Sequence, residues 1–433
     1  MSPTEAGIIG FVVLVILMFL KMPVGFVMAL VGFCGFGMLV SWDASLNLSA
    51  RDLFSVFSSY NLTVIPLFVF MGQCAFHSGI STRLFNAAHK FIGHLPGGLA
   101  MATVGACAAF AAICGSTSAT AATMASVTLP EMKKFNYDPS LATGVVAAGG
   151  SLGILIPPST IFIVYSIMTE QSIGKLFMAG VLPGILLSLL FILTILTWTL
   201  IKPEVGPRGP KSTMKEKIAS LSGLIETLIL FVLVMGGLFV GLFTPTEAAG
   251  IGALGTLIIA VIGRNLSWKG FLKTIDDTVR ITCMIMVIVA GATIFGHFLA
   301  VTRIPTDIGA WVGGLPLPSI VIMAMIIVAY ILLGCLMDSL AMVMLTIPVF
   351  FPVVTTLGYD PIWFGVIIVL VAEIGVITPP IGINVYVVAG VARDVPLHVI
   401  FKGTVWMMMA LFATVALIMF FPQIALFLPG LMN

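Results

Sequence analysis

Two short stretches of this chain combine residues that break a helix with residues that can hold a cation. The first is Gly149-Gly150-Ser151-Leu152-Gly153-Ile154-Leu155-Ile156-Pro157-Pro158-Ser159; the second is Gly375-Val376-Ile377-Thr378-Pro379-Pro380. Proline donates no backbone hydrogen bond and its ring clashes with the preceding turn, so a helix is interrupted at each pair. The break frees carbonyl oxygens, which need partners wherever water is absent. A sodium ion can be ligated by several such oxygens, with a neighbouring hydroxyl completing its shell. Ser116, Thr117 and Ser118 supply hydroxyls for the first break. Asp338 and Ser339 supply a carboxylate and a hydroxyl for the second, beside Gly375, Thr378 and Pro380. The pattern predicts two related cation sites. A proline kink healed by neighbouring helices is the simpler reading of either motif alone, and the duplication argues against it.

The elements that must position these residues lie in lipid. Of 433 residues, 60% are hydrophobic and 8% charged, and mean hydropathy is +1.21. Ordinary soluble domains carry about 25% charged residues. A membrane protein follows, and a soluble enzyme, a nucleic-acid binder and a secreted disulfide scaffold are excluded. The six cysteines show no metal-ligand spacing and read as free thiols. Residues 1–4 carry no Lys or Arg, so no cleaved signal is expected and 5–20 read as a first span.

By length and apolarity, spans are expected at 5–20, 23–41, 61–79, 139–169, 178–200, 222–242, 247–263, 280–299, 361–391 and 404–430. Two further stretches, 98–131 and 317–353, are interrupted at Gly115-Ser116-Thr117-Ser118 and Gly334-Cys335-Leu336-Met337-Asp338 and suit re-entrant hairpins. With the N-terminus outside, 16 of the 19 basic residues, Arg264 among them, fall on the cytoplasmic side; Arg51, Lys175 and Arg303 fall outside. The charge pattern therefore predicts ten spans, two hairpins and both termini outside. Residues 201–221 read as a cytoplasmic linker, and 49–59, 83–93, 266–277 and 304–312 as amphipathic interfacial helices.

The halves repeat each other. Tyr137-Asp138-Pro139 recurs as Tyr359-Asp360-Pro361, the Pro-Pro motif recurs at the same offset of 222, and Ser116 then aligns with Asp338. Upstream, Gly93-His94-Leu95-Pro96 matches Gly313-Gly314-Leu315-Pro316. Five spans per half is an odd number, so the second copy, 222–433, enters the membrane inverted relative to the first, 1–200. Inverted repeats with paired discontinuous helices mark secondary transporters that bind near the midplane. Pro3-Thr4-Glu5-Ala6 recurs as Pro245-Thr246-Glu247-Ala248 at a different offset and reads as helix-start chemistry. Asp338 and Glu373 are the acidic residues expected at depth. Helix starts at the tips and breaks favour an anionic substrate, with Thr117, Ser118, Ser159, Thr160 and Asn384 as possible donors. His297 reads as a packing or hydrogen-bonding residue.

Three stretches carry a family resemblance: Gly115 to Thr123 with Pro130-Glu131-Met132 and Tyr137-Asp138; Ala147 to Ser159; and Met337-Asp338 through Gly375 to Asn384. Phe243-Thr244-Pro245-Thr246-Glu247-Ala248-Ala249 adds to them. Over essentially the whole chain they resemble the large, DctM-like membrane subunit of tripartite ATP-independent periplasmic (TRAP) transporters. The resemblance implies an all-α polytopic protein of the bacterial inner membrane, with an elevator mechanism in which a transport domain holding both hairpins slides against a scaffold. It implies coupling to two or more Na+ ions and an organic acid as substrate, such as a C4-dicarboxylate or sialic acid. The implied partners are a periplasmic binding protein and a separate small four-helix subunit. Carried onto this chain, the sodium sites fall on Ser116, Ser118, Gly153, Ile156 and Pro158, and on Gly334, Asp338, Gly375, Thr378 and Pro380. A stand-alone ion–carboxylate symporter is the nearest alternative. An intramembrane protease and a channel fit less well, since both Tyr-Asp pairs sit at span ends and the paired hairpins suit alternating access.

Overall fold

The computed structural model describes residues 2–263, 266–313 and 316–432. Arg264, counted above by charge, and Gly314 and Leu315 of the upstream repeat lie outside the described residues. Every regular element among the described residues is helical. Helices α1 (Pro3–Phe19), α2 (Val24–Leu39), α3 (Trp42–Ser58), α4 (Val64–His77) and α5 (Ile80–Ile92) lead to a hairpin, α6 (Gly98–Cys114) and α7 (Thr117–Lys134). A broken pair, α8 (Pro139–Leu155) and α9 (Thr160–Thr169), precedes α10 (Ile173–Ile201). After the linker and α11 (Met214–Ser220) come α12 (Ser222–Phe239), α13 (Pro245–Ile262), α14 (Trp268–Thr302) and α15 (Ile304–Gly313). A second hairpin, α16 (Ser319–Gly334) and α17 (Ser339–Thr356), leads to a second broken pair, α18 (Pro361–Ile377) and α19 (Ile383–Val391), then α20 (Leu397–Phe420) and α21 (Gln423–Gly430).

The repeated motifs are start and stop devices. Asp138 caps α8 by accepting from the Ser140 N–H at 2.8 Å, and Asp360 caps α18 by accepting from Ile362 and Trp363 at 2.7 and 3.0 Å. Pro139 and Pro361 follow at the first helical position, where a missing N–H costs nothing. The Pro-Thr-Glu pair is helix-start chemistry as expected: Ser2 with Glu5 and Thr244 with Glu247 form reciprocal capping boxes. Ser116 caps α7 and Asp338 caps α17, so the two residues aligned by the repeat hold the same station at their tips.

Helices α8 and α18 form the centre; every residue in 140–155 and 362–377 is buried. Small residues permit this. A Cβ added to Gly403 would lie within van der Waals overlap of the Ser140 carbonyl, and one on Gly144 would fall 2.4 Å from the Gly403 carbonyl carbon, so α8 and α20 touch backbone to backbone. Packing is reciprocal between halves. Helix α2 lies on α14, and α13 on α4; α7 lies on α19, and α17 on α9. Exposed apolar side chains such as Ile8, Ile229, Val232 and Leu254 cover the outside, a surface suited to lipid.

The span map differs from expectation in four places. Among the described residues, six helical segments are long and apolar enough to cross a membrane, or eight if the bent pairs α3–α4 and α11–α12 each count once. Helices α1, α2 and α18, at 17, 16 and 17 residues, are shorter. Residues 266–277 are no separate interfacial helix: nothing between Trp268 and Thr302 breaks α14, which runs 35 residues. The segment 404–430 is two helices, because Pro422 ends α20 at Phe420. The linker is docked: Gly97 N–H donates to Gly206, Asp138 N–H to Val205 and Gly209 N–H to Gly93.

Candidate transport site

Both hairpin tips open into one cavity of about 260 Å³. Ser116, Thr117, Ser118 and Ala119 line it from the first tip, Asp338, Ser339 and Leu340 from the second, and Ile154 and Thr160 from either side of the first helix break. The far wall is Val69 and Gln73 of α4 with Ile281, Met284 and Ile285 of α14. These wall residues escaped sequence reasoning; Gln73, the one amide within 61–79 besides Asn61, was the available signal.

Each tip is held by its own backbone. Gly115 sits at φ +64°, and a Cβ there would fall 2.7 Å from the Pro158 carbonyl oxygen, so glycine is required both for the turn and for the approach. Thr160 Oγ1 donates to the Gly115 carbonyl at 3.2 Å. The Ser116 carbonyl accepts from Thr120 N–H and hydroxyl at 3.1 and 2.8 Å, and presses on Gly153, whose Cβ would lie 2.4 Å from it. Pro157 and Pro158 withhold the N–H groups that the Gly153 and Ile154 carbonyls would meet in a continuing helix. Ile156 and Pro158 lie buried behind the tip.

At the second tip Asp338 Oδ2 accepts from Leu340 N–H at 3.0 Å, and the residue is exposed along the cavity. Ser339 Oγ is buried without a hydrogen-bond partner. Gly334 meets Gly375 across the hairpin, as Ser116 meets Gly153. The Gly375 carbonyl accepts from Thr378 N–H at 3.1 Å, and Thr378 Oγ1 donates to the Ile374 carbonyl at 2.5 Å. Pro380 is exposed where Pro158 is buried, so the two breaks sit in unlike surroundings.

The expected substrate donors divide. Thr117 and Thr160 line the cavity. Ser159 is buried as the cap of α9, and Asn384 is buried on α19 with its amide donating to the Ala147 carbonyl at 3.1 Å; neither reaches the cavity. Glu373 is fully buried and both its oxygens lack hydrogen-bond partners. His297 is not solitary: Nε2 lies 3.1 Å from Asp52 Oδ2, and Asp52, expected at an interface, is 4% exposed. No group of three His, Cys, Asp or Glu side chains among the described residues could hold a metal. A cation at the tips would therefore rest on carbonyls, hydroxyls and the one carboxylate, a set suited to a hard ion. The starts of α7 and α17 point N–H groups at the same cavity, which favours a negative ligand group.

The family model described as tripartite ATP-independent periplasmic transporter, DctM component, matches residues 11–424. The chain belongs to this family. It is 35% identical over 394 residues to the C4-dicarboxylate TRAP transporter large permease protein DctM of Pseudomonas aeruginosa, covering 91% of each. It is 32% identical to the sialic acid large permease SiaM of Vibrio cholerae, covering 96% of each, and 31% identical to the ectoine/5-hydroxyectoine large permease UehC of Ruegeria pomeroyi, covering 97% and 98%. The solved YdaH transporter of Alcanivorax borkumensis shares the fold, with a TM-score of 0.66 at 15% identity over 89% of this chain and 90% of that one. As a DctM-family large permease the chain is a multi-pass membrane transporter subunit, and its relatives are permeases rather than enzymes, which removes the protease reading.

Proposed function

We propose that this DctM-family permease imports a small organic acid from periplasm to cytoplasm across the bacterial inner membrane, driven by a sodium gradient. The observation that carries the reading is the meeting of both hairpin tips, with their helix starts, in one cavity against α4 and α14. Two or more Na+ ions bind behind the tips, at Ser116, Ser118, Gly153, Ile156 and Pro158 and at Gly334, Asp338, Gly375, Thr378 and Pro380. The acid's carboxylate faces Thr117 and Thr160. A cavity of about 260 Å³ suits a small molecule.

The halves 1–200 and 222–433 are inverted repeats joined by 201–221, a reading supported by the reciprocal packing of α2 on α14 and α13 on α4. The hairpins, broken helices, α10 and α20 move as an elevator against a scaffold built from α1–α4 and α12–α14. A periplasmic binding protein delivers the acid, and a small four-helix subunit packs beside the scaffold. Both termini lie in the periplasm.

Uptake into vesicles holding the permease and small subunit tests this, with the sodium gradient and the binding protein varied separately. Uptake should stop when either is removed. Uptake without sodium overturns the coupling. Undiminished uptake without the binding protein favours a stand-alone symporter.

A further inference from the structure

The arms that wall the cavity are tied together at both ends by the same kind of side-chain pair. His77, the last residue of α4, places Nε2 3.4 Å from Asp277 Oδ2 near the start of α14. His297, near the end of α14, places Nε2 3.1 Å from Asp52 Oδ2 on α3. The bent arm α3–α4 runs antiparallel to α14, so the pairs sit at opposite ends of one contact. Each arm gives a histidine at one end and an aspartate at the other. The arrangement is reciprocal, as the packing of the halves is.

Burial makes the pairing consequential. Asp52 is 4% exposed and its Oδ2 has no aligned hydrogen-bond partner, and the His297 Nε2 stands 3.1 Å from it. The arms are also buttressed from outside. A Cβ on Gly291 would collide with the Gly25 backbone of α2, and a Cβ on Gly252 of α13 would fall 2.5 Å from Met71 Sδ of α4.

The pairs stand at unequal distances from the cavity. Gln73 lies one turn before His77 and Ile281 one turn after Asp277, about 6 Å along each helix. His297 lies twelve residues past Ile285, about 18 Å away.

We propose that the two His–Asp pairs are reciprocal clasps that hold α3–α4 and α14 as one unyielding wall, with His77–Asp277 setting the wall's spacing at the cavity. The proposal rests on the reading above that the hairpins move against a fixed scaffold.

Bridging by a short bifunctional thiol reagent tests it in the full-length, membrane-embedded chain with its six native cysteines replaced by serine. A disulfide is avoided because it requires Cα atoms within about 7 Å. Two reporter pairs, Q73C/I281C and V56C/T293C, each sit one turn from a clasp and leave it intact. Bridging of both should proceed at rates that differ less than twofold between sodium and potassium. H77A/D277A should change the Q73C/I281C rate at least fivefold and leave V56C/T293C within twofold; D52A/H297A should do the reverse. The swap H77D/D277H should restore the Q73C/I281C rate. Absence of bridging, a fivefold effect of sodium, or indifference to loss of the nearer clasp overturns the proposal. Uptake is not measured, so a failure of sodium-coupled import leaves these outcomes readable.

Discussion

Gly375 and Gly334 meet backbone to backbone: a methyl on Gly375 would lie 2.5 Å from the Gly334 carbonyl carbon. That contact seats the second hairpin on the helix it must break against. Gly375→Ala should therefore part α16 from α18, at a cost of about 1–3 kcal/mol for overpacking, and abolish uptake. Gly296→Ala on α14, where an added Cβ meets nothing within 4 Å, should express and transport normally. Thermal stability and uptake of the two variants check the contrast; equal behaviour would remove the tip contact from the mechanism.

Asp338 does two jobs that substitution can separate. As the cap of α17 it accepts from Leu340 N–H, and asparagine caps about as well, whereas alanine costs about 1 kcal/mol. Asp338→Asn should fold like the parent yet need at least tenfold more sodium for half-maximal uptake. Asp338→Ala should show the same sodium defect with lower expression. Normal sodium dependence in both variants argues against a cation role for the carboxylate.

Gln73 brings an amide to a wall otherwise lined by Val69, Ile281, Met284 and Ile285. Gln73→Leu should keep the fold, since the residue packs among apolar helices, and raise KM for the transported acid about tenfold, the equivalent of ~1.4 kcal/mol for one lost polar contact. An unchanged KM places the substrate away from α4.

His89 on α5 stacks on Phe85 and meets Phe135 edge-on, at 5.9 and 6.1 Å between centroids. Burial, helped by Lys90, holds its imidazole below the ordinary value of 6.5, against a smaller upward pull from Glu131. The folded protein thus binds this proton more weakly than the unfolded chain. Stability is unaffected well above pH 6.5 and falls as pH drops through that value toward the lower folded-state value. The fall in melting temperature between about pH 7.5 and 5 should be smaller in His89→Phe than in the parent, since Phe keeps the ring packing without the titration. Equal slopes would show that other groups carry the pH dependence.

How far the fold could be read ahead depended on whether its cause was local. Tyr-Asp-Pro and Pro-Thr-Glu were legible because capping acts within a turn, between residues such as Asp360 and Ile362. The helix breaks were legible because proline acts within a turn as well. The extent of α14 was not, since charged residues at its start resemble an interfacial helix and only the absence of a breaker unites them with the apolar remainder. The docking of Val205, Gly206 and Gly209 escaped because it uses backbone groups, which leave no side-chain pattern. Asp52 with His297 escaped because the partners are far apart in the chain. Asn384, expected at the substrate, donates its amide to the Ala147 carbonyl, a long-range partner that nothing local in the sequence reveals.

The backbone contact between Gly144 and Gly403 sets an order of events in the cell. The two glycines lie 259 residues apart by their numbers (403 − 144), and at roughly 5–20 residues per second the ribosome needs on the order of ten to fifty seconds to make the second after the first. For most of that interval the groove on α8 stands unfilled, and the Ala147 carbonyl waits until Asn384 is made. The newborn chain is complete as a packed body only when its last long helix enters, so truncations before Leu397 should leave a membrane-inserted fragment that quality-control proteases recognise and remove.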